Sequence, residues 1–211
     1  MRLCMFHPVG HPLERGWVGR VDGDRVVHLA AQTLQSFFTG GGTAREHAEY
    51  PLEETVLLAP VLHPPSIRIF DEQASFAFAN PAAVVGPGAV VSGPTSGLVV
   101  LPRMAAVMGT GGEIGGFTVL AEWRAVGVAP PKDRDFALGL GPVVVTPDAG
   151  GPVAEGFDWA AAVELAAAGT ALYPGDILAS PAAEPIAGEP GSVVAVEITG
   201  IGVLEQRVAA G

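Results

Sequence analysis

One long pair of apolar runs constrains this chain more than any other feature. It extends from Leu98 to Phe136 and reads GLVVLPRMAAVMG, then TGGEIGGFTVLAEW, then a turn-rich approach to PPKDRDF. Val99 and Leu101 alternate with other residues, Met104 to Met108 and Phe117 to Leu120 are nearly continuous, and Gly109 to Gly116 is rich in glycine. That pattern predicts two buried strands joined by a tight turn. Arg103, Glu122 and Lys132 introduce polar chemistry into this apolar region, and the question of function reduces to what they do together. Elsewhere the apolar runs are short and stop at glycine or proline, of which there are 29 and 19. Such punctuation favours many short strands over a helical bundle. The expected class is therefore mainly β, of α+β type, with 211 residues and 49% hydrophobic composition sufficient to bury a full core.

Charge narrows the function classes. The formal net charge is −11, which argues against nucleic acid, because affinity there comes from clustered Lys and Arg on phosphates. An anionic substrate has to be met by a local cationic pocket against an unfavourable overall field. The eleven basic residues include a single lysine, Lys132. The only cysteine, Cys4, excludes an internal disulfide and reads as a small buried hydrophobe. The opening MRLCMF breaks at His7-Pro8, too early for a secretory apolar region, and no run approaches the ~18 apolar residues of a membrane span. The expectation is a cytoplasmic protein with no membrane and no nucleic-acid partner.

Residues 2–28 read as a small β-unit, with Asp22-Gly23 suited to the positive φ of a hairpin turn. A short helix is expected around Ala30 to Phe38, stopping at Gly40-Gly41-Gly42. The polar stretch Thr43 to Glu54 marks the expected boundary, giving an N-terminal unit of residues 1–54 and a second of residues 55–211. Pro174-Gly175 and Pro190-Gly191 each carry a type II turn signature. A second helix is expected from Trp159 to Ala168, with Asp158 as N-cap and Gly169 at its stop.

The order of these pieces resembles the fumarylacetoacetate hydrolase family. The segments that carry the resemblance are MRLCMF with GWVGRVDGDRVVHLA, APVLHPPSIRIF, FANPAAVVGPGAVV, MAAVMG with IGGFTVLAEW, PPKDRDFALGLGPVVVTPD, and GTALYPGDILAS with EPGSVVAVEITGIGVLEQRV. The resemblance implies a small N-terminal β-domain followed by a mixed β-roll or β-sandwich domain, usually a homodimer. It also implies a divalent cation at the mouth of the roll and a substrate with neighbouring keto and carboxylate groups.

The metal site is where the sequence departs from that pattern. The family strand reads Glu-x-Glu, and period-two geometry aims both carboxylates at one side to hold the cation, while the resemblance supplies a third carboxylate from the next strand. Here Leu101 and Arg103 fall at the glutamate positions and Glu122 at the third. One carboxylate beside a fixed guanidinium charge has no net attraction for a divalent ion. No metal and no cofactor are therefore expected. Pro102, between the two former ligand positions, suggests an edge or bulged strand.

The candidate catalytic residues are Lys132, Glu122, Arg103 and Glu72, and the candidate substrate-binding residues are Arg68, Ser180 and Trp123. In one reading they form a metal-independent enzyme acting on a β-keto or enol carboxylate by C–C hydrolysis, decarboxylation, tautomerisation or cyclisation. Arg103 and Lys132 then hold the anion, while Glu122 or Glu72 moves a proton. In the other, Arg103 and Glu122 form an ion pair that plugs a dead site, and the fold is kept for binding or scaffolding. A third arrangement rebuilds a metal site from Glu122, Glu113 and Asp71. Asp133 and Asp135 read as a solvated turn, and the five histidines as structural.

Overall fold

The computed structural model describes residues 1–95, 97–149 and 156–210. The first strands are β1 (Arg2–Pro8), β2 (Trp17–Asp22) and β3 (Arg25–Leu29). The helix α1 (Leu34–Thr39) follows, and then β4 (Glu46–Pro51) and β5 (Thr55–Leu58). The middle of the chain supplies β6 (Ile67–Glu72), β7 (Ser75–Ala79), β8 (Val84–Val85) and β9 (Val90–Val91). The long strands are β10 (Leu98–Met108), β11 (Ile114–Ala125) and β12 (Leu138–Val145). The helix α2 (Trp159–Ala167) precedes β13 (Ile177–Ala179), β14 (Ile186–Gly188), β15 (Val193–Ile198) and β16 (Gly202–Val208).

Thirteen of the described strands form one mixed sheet along the path β4-β3-β2-β1-β12-β11-β10-β13-β6-β7, with β5 on β1, β8 on β12 and β14 on β10. A three-stranded sheet, β15-β16-β9, lies apart. The chain is thus mainly β, as its turn-punctuated sequence indicates. The expected boundary falls at a 3₁₀ turn, Leu52–Glu54, after which β5 returns antiparallel to β1. Because β1 also pairs with β12, the N-terminal strands are hydrogen-bonded into the same sheet as the rest.

The central hairpin β10–β11 is apolar nearly throughout because both of its faces are covered. Val100, Met104, Ala106, Val119, Ala121 and Trp123 enter one core, which α2 closes with Ala162 and Ala166 and the small sheet with Val194, Val196 and Leu204. Ala105, Val107 and Leu120 point the other way, into a core built with Leu3, Met5, Leu34, Phe37, Ile67 and Ile69. Leu101 lies opposite Glu122, so period-two alternation puts Leu101, Arg103 and Glu122 on this second face.

Turn chemistry follows the sequence. Gly23, Gly175 and Gly191 all have positive φ, and Gly111 and Gly112 turn the β10–β11 connection at φ 66 and 79. Asp158 caps α2 through the backbone N–H groups of Ala160 and Ala161. The first helix starts later than its apolar spacing indicates. Thr33 accepts from the Ser36 N–H and Ser36 Oγ accepts from the Thr33 N–H, a capping box that fixes the start at Leu34. Ala30 is instead held by the Arg45 carbonyl.

Pro102 corrects another expectation. It lies neither at an edge nor at the bulge, which falls between Val107 and Met108. On that side β14 pairs with Leu98 to Val100 and β13 with Ala105 to Val107, so Pro102 occupies the gap between partners, where no ladder donor is required. Its carbonyl accepts from Ala183.

The N-terminal strands carry a surface aromatic group in which His28 stacks on Trp17 with ring centroids 4.8 Å apart and lies 5.1 Å from His47. Burial, and then the neighbouring His47, push the His28 imidazole below its ordinary value of 6.5. Such a group takes its proton more readily when unfolded, so its support is intact above that value and is lost as pH falls below it. The urea midpoint should therefore drop between about pH 7.5 and about pH 5.5, and His28→Phe should reduce that drop. No helix among the described residues is long and apolar enough to cross a membrane.

Candidate functional site

Arg103 leaves the second face of β10 as a 1% exposed side chain, and every nitrogen of its guanidinium is committed. Nε donates to Glu122 Oε2 at 2.8 Å. Nη1 donates to two backbone carbonyls, Phe70 and Ser180, both at 2.9 Å. Nη2 donates to Asp71 Oδ1 at 2.6 Å and lies 2.7 Å from Glu122 Oε2. The planar fork of five donors is used from three directions at once, which a lysine cannot do.

Glu122 is fully buried, and its second oxygen is taken as well. Oε1 accepts from Arg124 Nε at 2.7 Å and has Arg134 Nη1 at 3.8 Å. Arg124 continues to Asp133 Oδ2 at 2.7 Å, and Arg134 Nε lies 3.7 Å from Asp133 Oδ1. The network contains Arg103, Arg124 and Arg134 against Asp71, Glu122 and Asp133, so its formal charges balance. Asp133 is 7% exposed and belongs to this network, which corrects the solvated-turn reading. The backbone carbonyl of Asp133 also holds Ala125 at the end of β11.

The other candidate residues lie elsewhere. The Lys132 side chain is 73% exposed and pairs with Asp135. Lys132 and then Asn80 hold the Asp135 carboxyl below its ordinary range. Glu72 is exposed at the end of β6 and accepts from the Ser75 hydroxyl at 3.0 Å, while its neighbour Asp71 makes the contact with Arg103. Arg68 is buried, but Ile67 and Ile69 face the second core, so Arg68 between them points to the opposite face. There it donates to Ser66 Oγ at 2.5 Å and stacks on Phe76 and Phe78 at 5.6 and 5.3 Å. Ser180 joins the network through its carbonyl, while its hydroxyl donates to Pro181 O at 3.1 Å. Trp123 is core, on the opposite face of β11 from Glu122, and donates to Gln206 Oε1 at 2.7 Å. Cys4 is inert, with burial pushing its thiol up to about 12.

Three solved structures align over the full length of this chain. A maleylpyruvate hydrolase from Sphingobium sp. SYK-6 in complex with manganese(II) and pyruvate has TM-score 0.77 at 20% identity, with 100% of both chains covered. A 5-carboxymethyl-2-hydroxymuconate delta-isomerase from Mycobacterium smegmatis has TM-score 0.76 at 19% identity, again over 100% of both. A 2-keto-3-deoxy-D-arabinonate dehydratase complexed with magnesium and 2,5-dioxopentanoate has TM-score 0.80 at 16% identity, over 100% of this chain and 99% of its own. The chain has the fumarylacetoacetate hydrolase fold. No family model and no curated protein sequence matches it.

Two of these three structures contain a divalent cation, so the donor set present here has to be tested against one. It does not fit. Both oxygens of Glu122 face guanidinium groups, and Asp71 is bound by the same Arg103 nitrogen that approaches Glu122. Glu113 stands at the far end of β11, nine residues and roughly 30 Å from Glu122. No group of three or more His, Cys, Asp or Glu among the described residues could hold a metal ion. An added cation would have to displace guanidinium charge from a buried carboxylate. A substrate anion meets the converse difficulty, because no Arg103 donor is left for it.

Proposed function

We propose that this protein keeps the fumarylacetoacetate hydrolase fold without metal-assisted chemistry at the catalytic position, and that its role is binding or scaffolding. The observation that supports this is the complete use of the Arg103 guanidinium inside the protein, with Glu122 enclosed between Arg103 and Arg124. Catalysis at such a position requires donors aimed at charge that develops on a substrate, and a donor already satisfied in the resting state offers nothing further.

A second reading is a metal-independent enzyme for a β-keto or enol carboxylate. It is favoured by the rim of the network, where the Asp71 side chain is 63% exposed beside the exposed Glu72, and by Lys132, whose amine reaches solvent. Likeness to a hydrolase, an isomerase and a dehydratase points in the same direction.

Incubation with oxaloacetate in EDTA, following keto-acid loss and pyruvate formation, separates the two readings. The first expects no turnover above buffer for the unmodified protein. EDTA-resistant turnover that Lys132→Ala or Glu72→Gln abolishes would replace it with the second. Neither substitution should cost more than about 0.5 kcal/mol of stability, because both side chains lie at the surface.

A further inference from the structure

We infer that a cavity between strand β1, the start of α1 and the lead-in to β6 binds a small organic monoacid, independently of the Arg103 network. It is lined by Met5, Arg15, Thr33, Gln35, Pro60, Leu62 and His63 and has a volume of about 180 Å³. Its apolar lining is the deeper part, since Met5 and Pro60 are buried and Leu62 is half-buried while Arg15 and His63 are exposed. The rim supplies a guanidinium, an imidazole, an amide and a hydroxyl, and no carboxylate lines it. In a chain of net charge −11, a concave site with a cation and no acid selects against the prevailing field.

The rim groups have capacity to spare. The side chains of Arg15, Gln35 and His63 make no hydrogen bond or ion pair with other described residues, in contrast to the saturated donors of Arg103. Gln35 is also held in place. Its Cγ lies where a Cβ on Gly175 would stand, 2.6 Å away, so the turn before β13 buttresses the amide. Thr33 is fixed as the cap of α1. The lining combines three apolar side chains, Met5, Pro60 and Leu62, with four polar ones, Arg15, Thr33, Gln35 and His63, the mixture of a few polar groups on an apolar surface that small-ligand sites use. A carboxylate would meet Arg15 with Gln35 and Thr33, while an apolar body would lie on Met5, Pro60 and Leu62. The volume equals about six waters, which restricts the ligand to a short-chain or single-ring acid.

The site lies before β6 begins, whereas the Arg103 network meets β6 at its end, through Phe70 and Asp71. It is therefore separable from the catalytic position by mutation. Benzoate is the probe, titrated into the protein labelled at methionine and leucine methyl groups and followed by NMR, with inorganic phosphate titrated in parallel. The expected result is a saturable shift at the Met5 and Leu62 methyls with a dissociation constant below about 1 mM at low salt. Arg15→Gln should weaken that binding at least about tenfold. Leu62→Asp, which sets a carboxylate against the ligand, should abolish it. Phosphate should leave both methyls unmoved. The inference is overturned if neither methyl shifts by about 20 mM benzoate, if Arg15→Gln binds as well as the unmodified protein, or if phosphate produces the same response.

Discussion

Replacing Arg103 by methionine should destabilise the protein by about 3–5 kcal/mol, the range for removing one partner of a buried ion pair. The side chain is comparable in length, so the loss is not principally one of volume. It leaves Glu122 facing only Arg124 and Arg134, and it leaves the Phe70 and Ser180 carbonyls without the donor they share. Arg103→Lys should rescue little of this, because an ammonium group has three donors from one nitrogen and cannot reach carboxylates and carbonyls that approach a planar fork from three sides. Urea denaturation measures both variants. Losses below about 1 kcal/mol would show that the network is peripheral to the fold.

The second large effect is a gain of metal binding. Leu101 is the direct cross-strand partner of Glu122, and Arg103 lies two residues further along the same face. Glutamate at both 101 and 103 would set three carboxylates on one side of the hairpin and remove the guanidinium that now occupies their centre. The Leu101→Glu/Arg103→Glu variant should be less stable than the unmodified protein without metal, because like charges then share a buried site. Manganese at a hundredfold excess over its dissociation constant should restore about 2.7 kcal/mol. For a chain of this size that is about 5–10 °C in melting temperature. The unmodified protein should show no such shift. A double variant that ignores manganese would mean that Arg124 alone is enough to keep Glu122 from a cation.

The long hairpin was legible because both of its strands are buried on two faces, which leaves an apolar run that cannot be mistaken for a surface element. Its turns, and the caps of α2, were legible from glycine and aspartate at positions that require them. That Arg103 and Glu122 share one site was implied by the family resemblance, and the register of β10 on β11 puts them on the same face. What the sequence did not disclose is where the other Arg103 donors go. Their acceptors are backbone carbonyls 33 and 77 residues away, and a carbonyl leaves no mark in residue identity. Asp133 departs from the solvated-turn expectation for a related reason. A Lys-Asp-Arg-Asp run has the composition of a solvated turn, yet one of its aspartates folds back onto Arg124 and the next does not. Lys132 stands out in the sequence as the only lysine, and residue identity alone does not reveal that its amine lies at the surface beside Asp135. Pro102 departs from the edge or bulge expectation because a proline penalty depends on whether a partner strand stands opposite, and here two partners end on either side of it.

Guanidinium groups, with their own carboxylates, fill the site around Glu122 and leave it no oxygen free for a divalent ion. Manganese titration of the EDTA-washed protein, followed by electron paramagnetic resonance, tests it most directly. The aqueous manganese signal should rise with each addition as it does in buffer, with no stoichiometric uptake. Loss of that signal up to one manganese per chain, reversed by Glu122→Gln, would contradict it.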